Sequence, residues 1–258
     1  MESSLTPDQF EALRRLDTCI VSNAIEVFDV RLRNDGFANS SSLKCIFPDL
    51  PPMLGYAATG TIRSSSPPLA SSLPPPPHLS FYHRSDWWDY VLSLPAPRVV
   101  VIRDVDRNPG LGALMGDLHA TICRALGCVG YVTNGAVRDL TTVKDLGFHF
   151  FAGHVSVSHA YAHVIDFGEP VEIGGLKIRS GDLVHGDRHG IQTIPKSIAR
   201  DIPVVAARIM EQERRIIEYC QSADFDVKQL REFVQGADHE IADGVPKRKD
   251  QRPDRRAD

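Results

Sequence analysis

Four consecutive apolar residues, Val99-Val-Val-Ile102, stand between Arg98 and Arg103. A strand with one wet face alternates apolar and polar side chains. An unbroken run of β-branched residues therefore predicts a strand covered on both faces. The chain around it has to supply apolar partners to two sides of a sheet. A glycine-rich loop follows, Asn108-Pro-Gly-Leu-Gly-Ala-Leu-Met-Gly116, and leads into a helix over about residues 116–126 that Gly127 stops. Residues 129–133 read as the next strand, ending at the turn pair Asn134-Gly135. This strand and helix alternation is confined to residues 98–147, whereas a full doubly wound sheet needs it throughout.

On either side the pattern changes. Thr6 before Pro7 reads as an N-cap with proline at the first helical position, and Phe10, Leu13 and Leu16 follow at helical spacing. Ser22 reads as the cap of a second short helix carrying Ile25 and Phe28. Residues 54–64 form a strand, 67–77 a proline- and serine-rich loop, and 86–92 a short helix with Trp87 and Trp88. Residues 148–195 are mostly β, with Gly174-Gly175 as a hairpin turn, Ser180-Gly181-Asp182 as the next turn, and strands over 183–186 and 191–194. Asp201 reads as the cap of a long amphipathic helix with Pro203 in its first turn, running to about Cys220, and a second helix covers 227–234. The expected fold class is α+β: one domain over residues 1–236 with helical N- and C-terminal extensions, then a charged, disordered tail over 237–258.

Composition excludes several function classes. The 258 residues suffice for a core without disulfides or metal staples. The five cysteines (Cys19, Cys45, Cys123, Cys128, Cys220) lack zinc-ribbon spacing, so reduced thiols are expected. A net charge of −4 implies no general attraction to nucleic acid or to an anionic membrane. No apolar run is long enough for a transmembrane helix, and the start lacks a basic region followed by an apolar one, so the expected location is cytoplasmic.

The chemistry concentrates between Gly110 and Asp139. Asp117 falls at the start of a helix just after the glycine loop, and Arg138-Asp139 falls just past a strand end. Loops at strand ends and helix starts are where α/β sites form. A helix start offers unpaired N–H groups to an anion, a guanidinium binds a planar carboxylate with two bonds, and aspartate oxygens suit Mg²⁺ or Mn²⁺. Each piece alone has a plain structural reading: Asp117 as a helix-start residue, Arg138-Asp139 as a surface ion pair. The glycine spacing, Gly110-x-Gly112-x-x-x-Gly116, departs from the dinucleotide fingerprint.

Taken together, Asp117, twenty intervening residues and Arg138-Asp139 resemble the D-x20-R-D signature of the class II pyruvate aldolases. These are the 4-hydroxy-4-methyl-2-oxoglutarate / 4-carboxy-4-hydroxy-2-oxoadipate aldolases, which share a fold with the regulator of ribonuclease activity A (RraA). The resemblance extends to Gly130-Tyr-Val-Thr-Asn-Gly-Ala-Val-Arg-Asp139, Ile173-Gly-Gly-Leu-Lys-Ile-Arg-Ser-Gly-Asp182 and Asp187-Arg-His-Gly190, and covers roughly residues 10–220. It implies a β/β/α swivelling domain that assembles as a trimer or hexamer and acts on a small 2-oxo acid, by retro-aldol release of pyruvate, by oxaloacetate decarboxylation, or both. It implies Mg²⁺ (or Mn²⁺) held near Asp139, Arg138 on the substrate and its developing enolate, and the amides of Leu114, Met115 and Gly116 on the pyruvyl carboxylate. Asp117 would position a water for proton transfer. A glutamate from a neighbouring subunit's C-terminal helix completes such sites, and Glu211 and Glu213 both lie on the corresponding helix here.

Some residues depart from the family pattern. Asn23 stands where many members have aspartate, and the proline loop with Trp87-Trp88 replaces a different helix. His149, His154, His159, His163, His185 and His189 are dense, and His159 with His163 makes a metal pair only if that stretch is helical. Two other readings stand beside the lyase: a non-catalytic regulator of ribonuclease type, and another enzyme of this fold acting on a sugar acid. A binder has no physical need for the aspartate and arginine constellation.

Overall fold

The computed structural model describes residues 5–38, 41–68 and 86–242. The chain divides into two compact units, one built from its two ends (residues 1–35 and 195–258) and one from its middle (36–194). The segments expected as helical extensions thus gather in a unit of their own.

The end unit is helical. Helix α1 (Pro7–Arg14) opens with Thr6 as N-cap: its hydroxyl accepts from the Gln9 amide, and Gln9 Oε1 accepts from the Thr6 amide in a full capping box. Helix α2 (Thr18–Val27) begins earlier than the Ser22 cap expected from sequence. Asp17 caps it instead, its carboxylate accepting from the Ile20 amide at 2.8 Å.

The middle unit starts at Gly36. Its elements are β1 (Lys44–Cys45), β2 (Met53–Arg63), α3 (Asp86–Ser93), β3 (Arg98–Asp104), β4 (Ala113–Met115), α4 (Asp117–Ala125), β5 (Cys128–Val137), α5 (Leu140–Asp145), β6 (His149–Val155) and β7 (His163–Phe167). They are followed by β8 (Val171–Ile173), β9 (Leu176–Ile178), β10 (Leu183–Asp187) and β11 (Gly190–Ile194). The end unit then resumes with α6 (Ile202–Gln221) and α7 (Val227–Ala242).

Pairs β2–β3, β3–β5 and β5–β6 are parallel, with α3, α4 and α5 in the three connections. The alternation therefore extends over β2 to β6, further than the sequence pattern indicated. Antiparallel β10 and β11 continue the sheet beyond β2, giving the order β1-β6-β5-β3-β2-β10-β11, with β4 on β5 and β7 on β2. Phe37 bridges Gln192 of β11, while Lys44 and Cys45 pair with β6. Mixed pairing with helices between the parallel strands makes the fold α+β.

The β3 run does what its composition requires. Val99 and Val101 join Met53, Val132 and Phe151 on one face, under the β8–β9 hairpin residues Val171, Ile173, Leu176 and Ile178. Val100 and Ile102 join Tyr131 and Phe150 on the other, against Trp87 and Val91 of α3, Ala120 and Cys123 of α4, and Val143 of α5. Full burial of such side chains stabilises by about 1.5–3 kcal/mol each.

Two local features were misread from sequence. The strand expected to end at Asn134-Gly135 runs on to Val137. The Asn134 side chain substitutes for ladder bonds there, accepting from the Asp104 amide at 2.8 Å and donating to the Asp104 carbonyl at 2.9 Å. The β5–β6 register shifts at this point, so the turn-like pair is a bulge within a strand. The three residues before Gly116, read as loop, form β4.

In the end unit, α2 packs against α6, burying Ile20, Val21, Ala24, Ile25, Val205, Ala206 and Ile209. Asp201 precedes α6 as expected, but its side chain makes no capping bond, and Pro203 supplies the start signal. Helix α7 passes Gly236 and reaches Ala242, which shortens the expected tail. Residues 243–258 and most of the proline loop (69–77) lie outside the described residues. Among the described residues no helix is long and apolar enough to cross a membrane.

Candidate active site

The parallel strands β2, β3 and β5 end on the same side of the sheet, and the glycine loop crosses there before β4 pairs with the last residues of β5. Crevices at carboxyl ends of parallel strands are where such sheets bind ligands. Asp104, buried at the end of β3, holds the loop: its carboxylate accepts from the amides of Asp106 at 3.0 Å and Gly110 at 2.9 Å. Burial pushes this carboxyl above its usual range, against the two amides and His154, which lower it. Gly110 has φ +93°, and a side chain there would strike the His154 ring.

Strand β4 then turns into α4 within one residue. Gly116 is the N-cap and Asp117 the first helical residue. The Arg138 amide donates to the Met115 carbonyl at 3.1 Å, fixing the end of β5 against this junction. A Cβ on Gly116 would lie 2.3 Å from Asp139 Oδ2 and 3.0 Å from Arg138 Cγ, so only glycine admits the two side chains so close to the helix start.

Asp139 is the informative residue. It precedes α5 at the N-cap position, yet makes no side-chain bond to its own helix. Its backbone is left-handed, φ 55° and ψ 41°, a region that aspartate tolerates better than most residues but still at a cost. In this conformation the carboxylate meets the neighbouring helix instead. Oδ2 accepts from the Asp117 amide at 3.1 Å and from Arg138 Nε at 3.1 Å. Burial pushes the Asp139 carboxyl up, but the Asp117 amide and the Arg138 guanidinium outweigh it and hold the group below the ordinary carboxylate range. The ion pair is about a third exposed on each side, 35% and 31%, so it is open to a ligand.

Asp117, Arg138, Asp139 and Gly116 are therefore brought together, 22 residues apart in sequence at the Asp117–Asp139 bond. Leu114 and Met115 lie in β4 with buried side chains. Glu211 and Glu213 lie on α6, in the other unit. Arg214 grips both oxygens of Glu211, at 2.6 and 2.9 Å, and this holds the Glu211 carboxyl below its usual range. Glu213 lines a groove of about 540 Å³ between α2 and α6, together with Asn23.

One residue escaped the sequence reading. His119, in the first turn of α4, directs Nδ1 at the Leu114 carbonyl, 2.7 Å away. Burial lowers its pKa, and the bond to the carbonyl only partly offsets this. No spacing rule signals this contact, because it joins a strand residue to a helix residue across the N-cap. The stretch from His159 to His163 is not helical, so the four-residue spacing does not set the two rings one turn apart: His159 Nδ1 meets the Ala160 carbonyl, and His163 opens β7 with Nδ1 on the Tyr161 carbonyl.

Among the described residues no three His, Cys, Asp or Glu side chains converge to form a metal cage. The donor set that does exist is two carboxylates, Asp139 and the exposed Asp117, beside the glycine cradle. Such a set fits Mg²⁺ or Mn²⁺, hard ions that keep several waters and take one or two carboxylates plus substrate oxygens.

Residues 18–192 match the sequence profile of the RraA-like family, described as Aldolase/RraA. A Halalkalibacterium halodurans protein provisionally named a 4-hydroxy-4-methyl-2-oxoglutarate aldolase is 35% identical over 85 residues, which is 33% of this chain and 40% of that protein. An Ectopseudomonas mendocina protein with the same provisional name is 29% identical over 89 residues, 34% of this chain and 54% of that protein. The match thus spans only about half of these relatives' length or less. Among solved structures, an uncharacterised protein from Pseudomonas syringae pv. tomato superposes with a TM-score of 0.66 at 23% identity, covering 90% of this chain and 96% of the other. Streptomyces coelicolor RraAS2, described as an unusual member of the RNase ES inhibitor RraA family, gives 0.61 at 18% identity, covering 82% and 97%. These two likenesses show the fold.

Proposed function

The chain belongs to the RraA-like (Aldolase/RraA) family, and on that premise we propose that it is a divalent-metal-dependent lyase that cleaves a C–C bond of a small 2-oxo acid. The supporting observation is Asp139: its carboxylate leaves its own helix, in a costly backbone conformation, to meet the Asp117 amide and Arg138. A surface used only for docking, as in a ribonuclease regulator, has no need of that arrangement. The provisional names of the aldolase relatives point the same way.

Asp139 would hold Mg²⁺ or Mn²⁺, with Asp117 reaching it through water. When bound, such an ion supplies a Lewis acid that polarises the substrate's 2-oxo group. Arg138 spends Nε on Asp139, which leaves its Nη groups to bind the substrate carboxylate and the oxygen where negative charge develops as the C–C bond breaks. The amides at the Leu114–Met115–Gly116 junction that the β4–β5 ladder leaves open, next to the positive end of α4, would hold the pyruvyl carboxylate. The Asp117 carboxylate, exposed at the helix start with Oδ1 accepting from the Leu118 amide at 2.7 Å, would exchange a proton with the product carbon through a water. Release of pyruvate from oxaloacetate or from 4-hydroxy-4-methyl-2-oxoglutarate tests the reading. Turnover should require Mg²⁺ or Mn²⁺ and stop with EDTA. A rate equal to that of metal ion alone in buffer would contradict it and favour the regulator.

The active unit in this reading is a homotrimer or homohexamer, with a glutamate of α6 completing the site of another copy. Glu213 suits that role better than Glu211, which Arg214 already binds. Mixing inactive Arg138→Ala with inactive Glu213→Gln should restore part of the activity after subunit exchange, because some mixed sites hold both native residues. No recovery despite demonstrated exchange would remove Glu213 from the site.

A further inference from the structure

We propose that His119 is a positioning residue for this site, locking the strand-to-helix junction that presents Gly116 and Asp117 to a 2-oxo acid. The inference rests on the lyase reading of the site and assigns a role to a side chain outside the aspartate and arginine signature.

The geometry carries it. A carbonyl oxygen can only accept, so the 2.7 Å contact from His119 Nδ1 to the Leu114 carbonyl requires the proton on Nδ1. The bond therefore selects one neutral tautomer of the ring. It spans the junction: Leu114 is the middle residue of β4, Gly116 the N-cap, and His119 lies in the first turn of α4. The successive carbonyls around the turn all have partners. Leu114 accepts from His119, Met115 from the Arg138 amide at 3.1 Å, and Gly116 from the Ala120 amide at 2.9 Å. In a trans peptide the carbonyl and the next N–H point in opposite directions, so tying the carbonyls fixes where the N–H groups aim. Two of the three ties use backbone donors that any sequence would supply. The Leu114 carbonyl alone depends on a side chain. Without it the Leu114 carbonyl loses the one tie that spans the junction from β4 into α4, and the aim of Gly116 and Asp117 at Asp139 Oδ2 is held less firmly.

Two variants separate positioning from bulk. His119→Leu keeps volume and has no donor. His119→Asn keeps an N–H at the δ position. The probe is oxalate, a planar mimic of the pyruvate enolate, titrated calorimetrically into the full chain with Mg²⁺ present, alongside steady-state pyruvate release from oxaloacetate. Loss of one hydrogen bond of ordinary strength corresponds to about 2- to 13-fold. His119→Leu should weaken oxalate binding and lower kcat by that order, and His119→Asn should recover most of both. If His119→Leu lowers the Tm but leaves oxalate affinity and kcat at wild-type values, the residue is merely structural and the proposal is overturned. If the wild type neither binds oxalate nor releases pyruvate, the lyase reading fails and takes this inference with it. That outcome is distinct, because then all three proteins are silent. Should His119→Leu not fold, ¹⁵N spectra of the wild-type imidazole decide: protonated Nδ1 supports the lock, and the Nε2–H tautomer rules it out.

Discussion

Replacing Arg138 with lysine should lower kcat for pyruvate release by about 10²–10³-fold, the usual cost of removing a donor aimed at developing charge. In the proposed mechanism even so conservative a change is damaging. Arg138 faces two tasks at once. Its Nε holds Asp139 Oδ2 at 3.1 Å, and in the proposed mechanism the planar fork beyond binds a carboxylate and a carbonyl oxygen. An ammonium is a single point charge. Lysine at this position either pairs with Asp139 or reaches the substrate. The fold should be untouched, since the pair is partly exposed and exposed ion pairs contribute at most about 1 kcal/mol. Steady-state kinetics with circular dichroism checks both halves. A lysine variant with near wild-type kcat would remove Arg138 from the chemistry.

Asp139→Asn should reduce turnover to the background seen with EDTA, even at saturating Mg²⁺. Asparagine tolerates the left-handed backbone that this position adopts and can still accept from the Asp117 amide, so the junction survives while the charge is lost. Asp139→Ala should give the same kinetic result and fold less well, because alanine lacks that tolerance. The pH dependence follows from the depressed carboxyl. A group held below its unfolded value contributes stability that is present above the unfolded carboxylate pKa, about 3.9, and lost as pH falls through the lower folded value. The site should therefore stay charged through mildly acidic pH, and the acid limb due to Asp139 should lie below the ordinary carboxylate range. A pH–kcat/KM profile of the wild type at saturating metal measures this.

How far the sequence reveals these features depends on the range of the forces involved. The Val99–Ile102 run read correctly because burial on two faces is a demand a strand's composition must meet directly. Gly127 and Gly174-Gly175 read correctly because a stop and a hairpin turn need backbone conformations that few other residues supply. Asp117, Arg138 and Asp139 were legible as a spaced pattern, and they do meet. Their geometry was not legible. Asp139 looked like a strand-end residue, and only the folded chain shows its carboxylate serving α4 instead of α5. Asn134-Gly135 read as a turn because its local preference is for turns. Long-range bonds to Asp104 override that preference and carry β5 four residues closer to the site. Asp17 displaced Ser22 as a cap for the opposite reason: both are good caps, and the packing of α2 selects the earlier one. His119 left no trace at all, since its partner is a backbone carbonyl in a strand too short to read.

The central claim is that the Asp139 carboxylate makes this junction a divalent-metal site. Mn²⁺ binding, followed by water-proton relaxation, tests it without relying on turnover. The account predicts Mn²⁺ binding by the wild type and by Arg138→Lys, competition by Mg²⁺, and loss of binding in Asp139→Asn. Undiminished Mn²⁺ binding by Asp139→Asn, or none by the wild type, would contradict it.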